Sequence, residues 1–111
     1  MPEPEDFSKI QYLYLTTTGR RTGLPREIEI WFVAHAGRFY ILAEHFHRAQ
    51  WVQNILANPR VGVRVSSREF AATARVLDEQ GDAALYQMAQ QLAREKYEWG
   101  DGLPVEITPD V

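Results

Sequence analysis

Residues 16–26 read Thr-Thr-Thr-Gly-Arg-Arg-Thr-Gly-Leu-Pro-Arg. Arg20, Arg21 and Arg26 supply planar, permanently charged donor forks, Thr22 adds a hydroxyl, and Gly19 and Gly23 allow the positive φ with which backbone N–H groups converge on one point. Such a set is suited to a phosphate or carboxylate. On the loop alone, an arginine-rich hairpin without a ligand is an equal reading. The spacing is not that of a Walker loop, because no Lys-Ser/Thr follows a four-residue gap and the next segment reads as a strand; nucleotide hydrolysis is set aside. A second group, Glu44, His45 and His47 around Phe46, offers three nitrogen or oxygen donors. With His35 on a separate turn and no cysteine, a fourth ligand is undefined, so no metal is expected and these histidines read as pocket residues.

The elements that must position these residues follow from periodicity. Alternation of Tyr12, Tyr14 and Thr16 with Leu13, Leu15 and Thr17 predicts a strand over 9–18. A second strand is predicted over 26–33, with Ile28, Ile30 and Phe32 on one face and Glu27, Glu29 and Trp31 on the other. Glu27 and Glu29 read as solvated or cross-strand paired carboxylates, with Arg64 or Arg75 as partners. His35, Ala36, Gly37 and Arg38 form a hairpin turn into a strand over 39–43. Trp51, Val52, Ile55 and Leu56 give a helical stripe over 47–57, stopped by Asn58 and Pro59, with Asn58 in a left-handed cap. Val61, Val63 and Val65 mark a fourth strand, and 69–77 a fifth, across a turn at Ser66, Ser67 and Arg68. A long helix is predicted over 79–98, capped by Asp78, with acids in its first turn and Arg94 and Lys96 in its last; a short strand follows over 105–108. Evenly spaced strands of this kind suggest a small barrel or sandwich.

With 111 residues the chain is one domain, read as a loose leader over 1–8 and a folded unit over 9–111. A hydrophobic content of 45% excludes general disorder, and a net charge of −3 argues against a nucleic-acid binder. The absence of cysteine excludes disulfides and thiolate chemistry. No signal peptide or membrane-spanning apolar run is recognised, so a cytoplasmic location is expected.

The stretch from Leu15 to Arg26, the two strands after it, the Trp-bearing helix, and the run Ala57, Asn58, Pro59, Arg60, Val61 resemble the deazaflavin-dependent nitroreductase and quinone reductase family over about residues 12–76. The resemblance implies a mainly β, α+β fold: a small split β-barrel of about six antiparallel strands with one short and one long helix, related to the FMN-binding split barrels. It implies coenzyme F420 as cofactor, with FMN as the alternative. In the family's Thr-Thr-Gly-Arg-Lys-Ser-Gly loop, with its trailing Pro-Arg, Arg21 stands here for the lysine and Thr22 for the serine. Charge and hydroxyl are kept, and Arg20, Arg21, Thr22 and Arg26 are the implied ligands of the cofactor's anionic tail. Ile28, Glu29, Ile30 and Trp31 match positions beside the deazaflavin ring, although Glu27 and Glu29 depart from the neutral residues of other members. Ala43, Glu44 and His45 match the cofactor-contacting segment after the third strand, across a shorter connection. Trp51 and Asn54 match the family's Trp-x-x-Asn.

The implied reaction is hydride transfer from reduced F420 to a small-molecule acceptor, a quinone, nitroaromatic or activated alkene. Phe7, Trp31, Phe46, Tyr97 and Trp99 are candidates for an apolar acceptor slot, and Tyr97, His45 or solvent for the proton source. An FMN-binding reductase or oxidase-like protein, a non-enzymatic deazaflavin carrier and a ligand-free structural barrel are the competing readings. A homodimer is expected, since pairing gives so short a chain more buried surface.

Overall fold

Leu13, Leu15 and Thr17 point one way from the first strand and Tyr12, Tyr14 and Thr16 the other, and this alternation sets the inside and outside of the whole sheet. In the computed structural model, which describes Phe7 and residues 9–110, the elements are β1 (Tyr12–Thr18), β2 (Pro25–Trp31), β3 (Val33–His35), β4 (Arg38–Ala43), a 3₁₀ turn (Phe46–Arg48), α1 (Gln50–Ala57), β5 (Arg60–Val65), β6 (Arg68–Val76), α2 (Ala83–Tyr97) and β7 (Leu103–Pro109). Apart from Phe7, the expected leader lies outside the described residues. The strands form one antiparallel sheet in the order β2-β1-β5-β6-β7-β4-β3. It curls around a core that includes Leu13, Leu15, Phe39, Ile41, Val63, Ala72, Val105 and Ile107. Helix α1 contributes Ile55 to that core, while α2 lies on the outer face of β3 and β4, packing Ala89 and Ala93 against Val33, Tyr40 and Leu42.

Seven strands replace the expected six or so, because the segment predicted as one strand over 26–33 breaks at Phe32. Its ring enters the core at 1% exposure, and its main chain has partners from helix α2 in place of a ladder. Phe32 N–H donates to Tyr97 Oη at 3.2 Å, and Phe32 O accepts from Lys96 Nζ at 3.0 Å. This one residue joins the two edge strands of the sheet, so the edges meet there and the curl is enforced.

Other boundaries shift for local reasons. β1 starts at Tyr12 because Ile10 N–H turns back to Phe7 O at 3.0 Å. The helix expected over 47–57 is divided by Ala49, whose ψ of 133° is extended. Asn58 is extended too (φ −148°), and its side chain accepts from Arg60 N–H at 3.1 Å rather than making a left-handed cap. Helix α2 begins after Asp82, so the expected acids fall outside its first turn; Asp78 and Asp82 bind each other's turn, Asp82 accepting from Asp78 N–H at 2.9 Å and Asp78 from Gln80 N–H at 3.2 Å. Ala36 and Gly37, both at positive φ, make the β3–β4 hairpin as expected. The last strand runs over seven residues and lies inside the sheet, between β6 and β4. No helix among the described residues is long and apolar enough to cross a membrane.

Candidate functional site

The loop between β1 and β2 is closed by its own main chain: Gly19 N–H donates to Leu24 O at 2.8 Å, Gly23 N–H to Gly19 O at 2.8 Å, and Leu24 N–H to Thr22 Oγ1 at 3.2 Å. A Cβ at Gly19 would fall 2.8 Å from Thr22 Oγ1 and 3.2 Å from Leu24 O, crowding two of the acceptors that close the loop. The amides of Gly19 and Gly23 are thereby engaged, and they do not form the converging cradle anticipated from the glycines. Any anion must be met by side chains.

The three arginines divide into two kinds. Arg20 is fastened to α1, its guanidinium donating to Asn54 Oδ1 at 2.9 Å and Gln50 Oε1 at 2.8 Å, and its own N–H to Asn54 Oδ1 at 3.2 Å. Asn54, 4% exposed, completes the fastening by donating from Nδ2 to Thr17 Oγ1 at 3.2 Å. Arg21 and Arg26 are exposed and pair with no carboxylate among the described residues. They stand with Thr22, Ile28 and Trp51 around a cleft of about 420 Å³.

Trp51 is also a wall of a second hollow, of about 610 Å³, which lies where the edge of β2 faces the β4–α1 connection. Glu29, Ile30 and Trp31 line it from β2, Leu42 from β4, Glu44, His45 and Ala49 from the connection, and Tyr12 and Trp99 complete it. All three tryptophans of the chain therefore meet here. Trp31 is held by a parallel stack on Tyr97, with centroids 4.5 Å apart and an interplanar angle of 4°. Trp99 rests on Gly102, where a Cβ would come within 2.8 Å of its ring. Glu29 accepts a hydrogen bond from Tyr14 Oη at 2.8 Å, which raises the Tyr14 pKa.

Of the residues singled out in the sequence, Arg20, Arg21, Thr22, Arg26, Ile28 and Asn54 line the cleft, Glu29, Ile30, Trp31, Glu44 and His45 line the hollow, and Trp51 belongs to both. Ala43 does not: it is 1% exposed and packs on Val52, Leu77, Tyr86 and Leu103. Tyr97 stands behind Trp31, with its hydroxyl 2.8 Å from both Gln11 O and Phe32 O, and burial pushes its pKa up. Phe7 packs edge-on against Phe32 and Phe39, and Phe46 is exposed outside both lining sets. Glu27 pairs with Arg64 at 3.4 Å on the outer face, one of the two partners anticipated; Arg75 binds Asp82 and Glu106 instead. Thr17, Gln50, Tyr12, Leu42 and Ala49 complete the two walls without having been singled out as site residues. Only the i, i+4 relation of Gln50 to Asn54 on a helix carried a signal for any of them.

A curled antiparallel sheet that carries a cationic cleft and an aromatic hollow, with Trp51 as a wall of both, is a small split-barrel domain with room for an anionic, planar ligand. The chain belongs to the F420H(2)-dependent quinone reductase family, whose sequence profile matches residues 2–108. Solved structures share its fold. One is an F420-H2 dependent reductase (FDR-A), 24% identical over 89% of this chain and 93% of that one, with a TM-score of 0.69. Another is an F420 reductase, 20% identical over 100% and 97%, with a TM-score of 0.66. The heme storage protein HutZ from Vibrio cholerae has the same architecture at 17% identity, covering 93% and 84%, with a TM-score of 0.74. Family membership makes this chain an oxidoreductase and coenzyme F420 its cofactor, as the loop and the Trp-bearing helix suggested.

Proposed function

We propose that the cleft and the hollow are one elongated site, the cleft taking the anionic tail of coenzyme F420 and the hollow its ring together with a quinone acceptor. The observation that carries this reading is Trp51, a wall common to both, which makes a cationic compartment continuous with an aromatic one. When bound and reduced, the cofactor supplies the hydride. Arg21 and Arg26, free of carboxylate partners among the described residues, grip phosphate or carboxylate oxygens, and the Thr22 hydroxyl, which accepts from Leu24 N–H, still has its own proton to donate. Arg20 and Asn54 hold the loop against α1 so that those groups face the cleft. Trp31, stacked on Tyr97, offers a flat surface to a planar acceptor. His45, which lines the hollow, gives a proton to the reduced acceptor in this reading, whereas Tyr97 serves to position Trp31. Nitroaromatics and activated alkenes are secondary acceptors in this proposal, which also includes pairing into a homodimer and a cytoplasmic location.

The test is a parallel titration with F420 and FMN, followed by the fluorescence of each, and then oxidation of reduced F420 in the presence of a neutral naphthoquinone. Preferential binding of F420 and quinone-dependent turnover are expected. Preference for FMN, or F420 binding without turnover of any acceptor, overturns the assignment. Mass measurement at low micromolar concentration and cell fractionation test the dimer and the location.

A further inference from the structure

The two compartments carry opposite charge. Around the cleft stand Arg21 and Arg26, while the hollow places two carboxylates, Glu29 and Glu44, among Tyr12, Trp31, Trp51 and Trp99. Neither Glu29 nor Glu44 has an ion-pair partner among the described residues; Glu29 takes one hydrogen bond from Tyr14, and Glu44 is exposed. Arg64, which lies over the Tyr14 ring at 4.0 Å, is directed to Glu27 and does not line the hollow. Among the described residues the lining contains no lysine or arginine. Indole faces attract cations through their quadrupole, and unpaired carboxylates beside them add a negative potential that low-dielectric walls focus into the opening.

We infer that this hollow selects its acceptor by charge, taking planar cationic acceptors ahead of neutral ones and turning away anionic ones. The inference rests on the reading of the hollow as the acceptor end of the reductase site and names the substrate class for that end. Shape alone does not produce such an order, because four of the lining side chains are flat aromatic rings that accept any planar molecule. Discrimination against anions comes from the absence of a counter-charge for them, a repulsive element rather than an added contact.

Three naphthoquinones test it: unsubstituted 1,4-naphthoquinone, its 2-sulfonate, and a derivative bearing a trimethylammonium group, the two charged compounds being matched in number of heavy atoms. Binding to the full chain, with and without saturating F420, is read from quenching of the intrinsic tryptophan emission, corrected for inner-filter absorption. F420 affinity is measured separately from the cofactor's own fluorescence. The expected result is a dissociation constant for the sulfonate at least tenfold above that of the neutral quinone, and one for the ammonium derivative below it. The spread should shrink to within about threefold in an E29Q/E44Q variant, and should narrow in the native chain as salt rises. Equal affinities in the native chain, an unchanged order in the double variant, or no quenching by any of the three overturns the inference. If charge selection persists while F420 fails to bind, the cofactor reading fails and the acceptor hollow stands; if F420 binds and charge makes no difference, the reverse holds.

Discussion

Asn54 and Arg20 show how little of a binding loop need touch its ligand. The buried amide accepts twice from Arg20 and donates once to Thr17, so replacing it with leucine strands at least one main-chain donor, at a cost of about 1–3 kcal/mol per group. For N54L we expect a fall in Tm of several degrees in thermal denaturation, accompanied by weaker F420 binding as the loop loosens. The arginines separate the two roles. An R21A/R26A variant should keep its Tm and lose more than tenfold in F420 affinity, since charge-assisted hydrogen bonds contribute about 1.5–3 kcal/mol each. R20A should lower Tm first. A native-like affinity in folded R21A/R26A would take the cleft out of the cofactor site.

At the scale of elements, the last turn of α2 acts on the sheet through Tyr97, whose hydroxyl stands between Gln11 O and Phe32 O while its ring supports Trp31. Y97F retains the ring stack but removes the polar clasp, so we expect a loss of about 1–3 kcal/mol in denaturant titration and faster hydrogen exchange around Phe32. Turnover should persist in this variant; its abolition with the fold intact would return Tyr97 to the chemistry. The strand pattern, both hairpin turns and the presence of α1 were legible in the sequence because each rests on local periodicity or turn chemistry, but the stripe expected of α1 was not wholly right: Leu56 is 55% exposed, and Asn54 is buried with Val52 and Ile55. The break at Phe32 was not legible, since nothing in Ile30-Trp31-Phe32-Val33 announces that residues 96 and 97 will take over the main-chain partners of Phe32. The site followed the same division. Charged and aromatic residues were identifiable by type, and the loop was recognised by its motif. The exclusion of Ala43 and the withdrawal of Tyr97 behind Trp31 depend on packing between elements distant in the chain.

The whole molecule carries a pH signature in its tyrosines. Burial, with a hydrogen bond to Glu106, pushes Tyr40 up to about 12, and burial raises Tyr86 and Tyr97 as well. Above pH ~10 the unfolded chain releases phenolic protons that the folded one retains, so stability is full below that value and falls as pH rises through it. Denaturant midpoints should hold between pH ~8 and ~10 and decline from there towards pH ~12, and Y40F should flatten the decline; a midpoint that held constant across the upper interval would contradict it. The position of β7 has a different kind of consequence. Residues 103–109 are the last to be made of any element described here, yet they lie between β6 and β4. Until they emerge during translation, β2-β1-β5-β6 and β4-β3 are two separate half-sheets, each with an exposed edge. The sheet is therefore joined only once residues 103–109 are available, and the interval before that is when nascent copies are most open to pairing with one another through the two exposed edges.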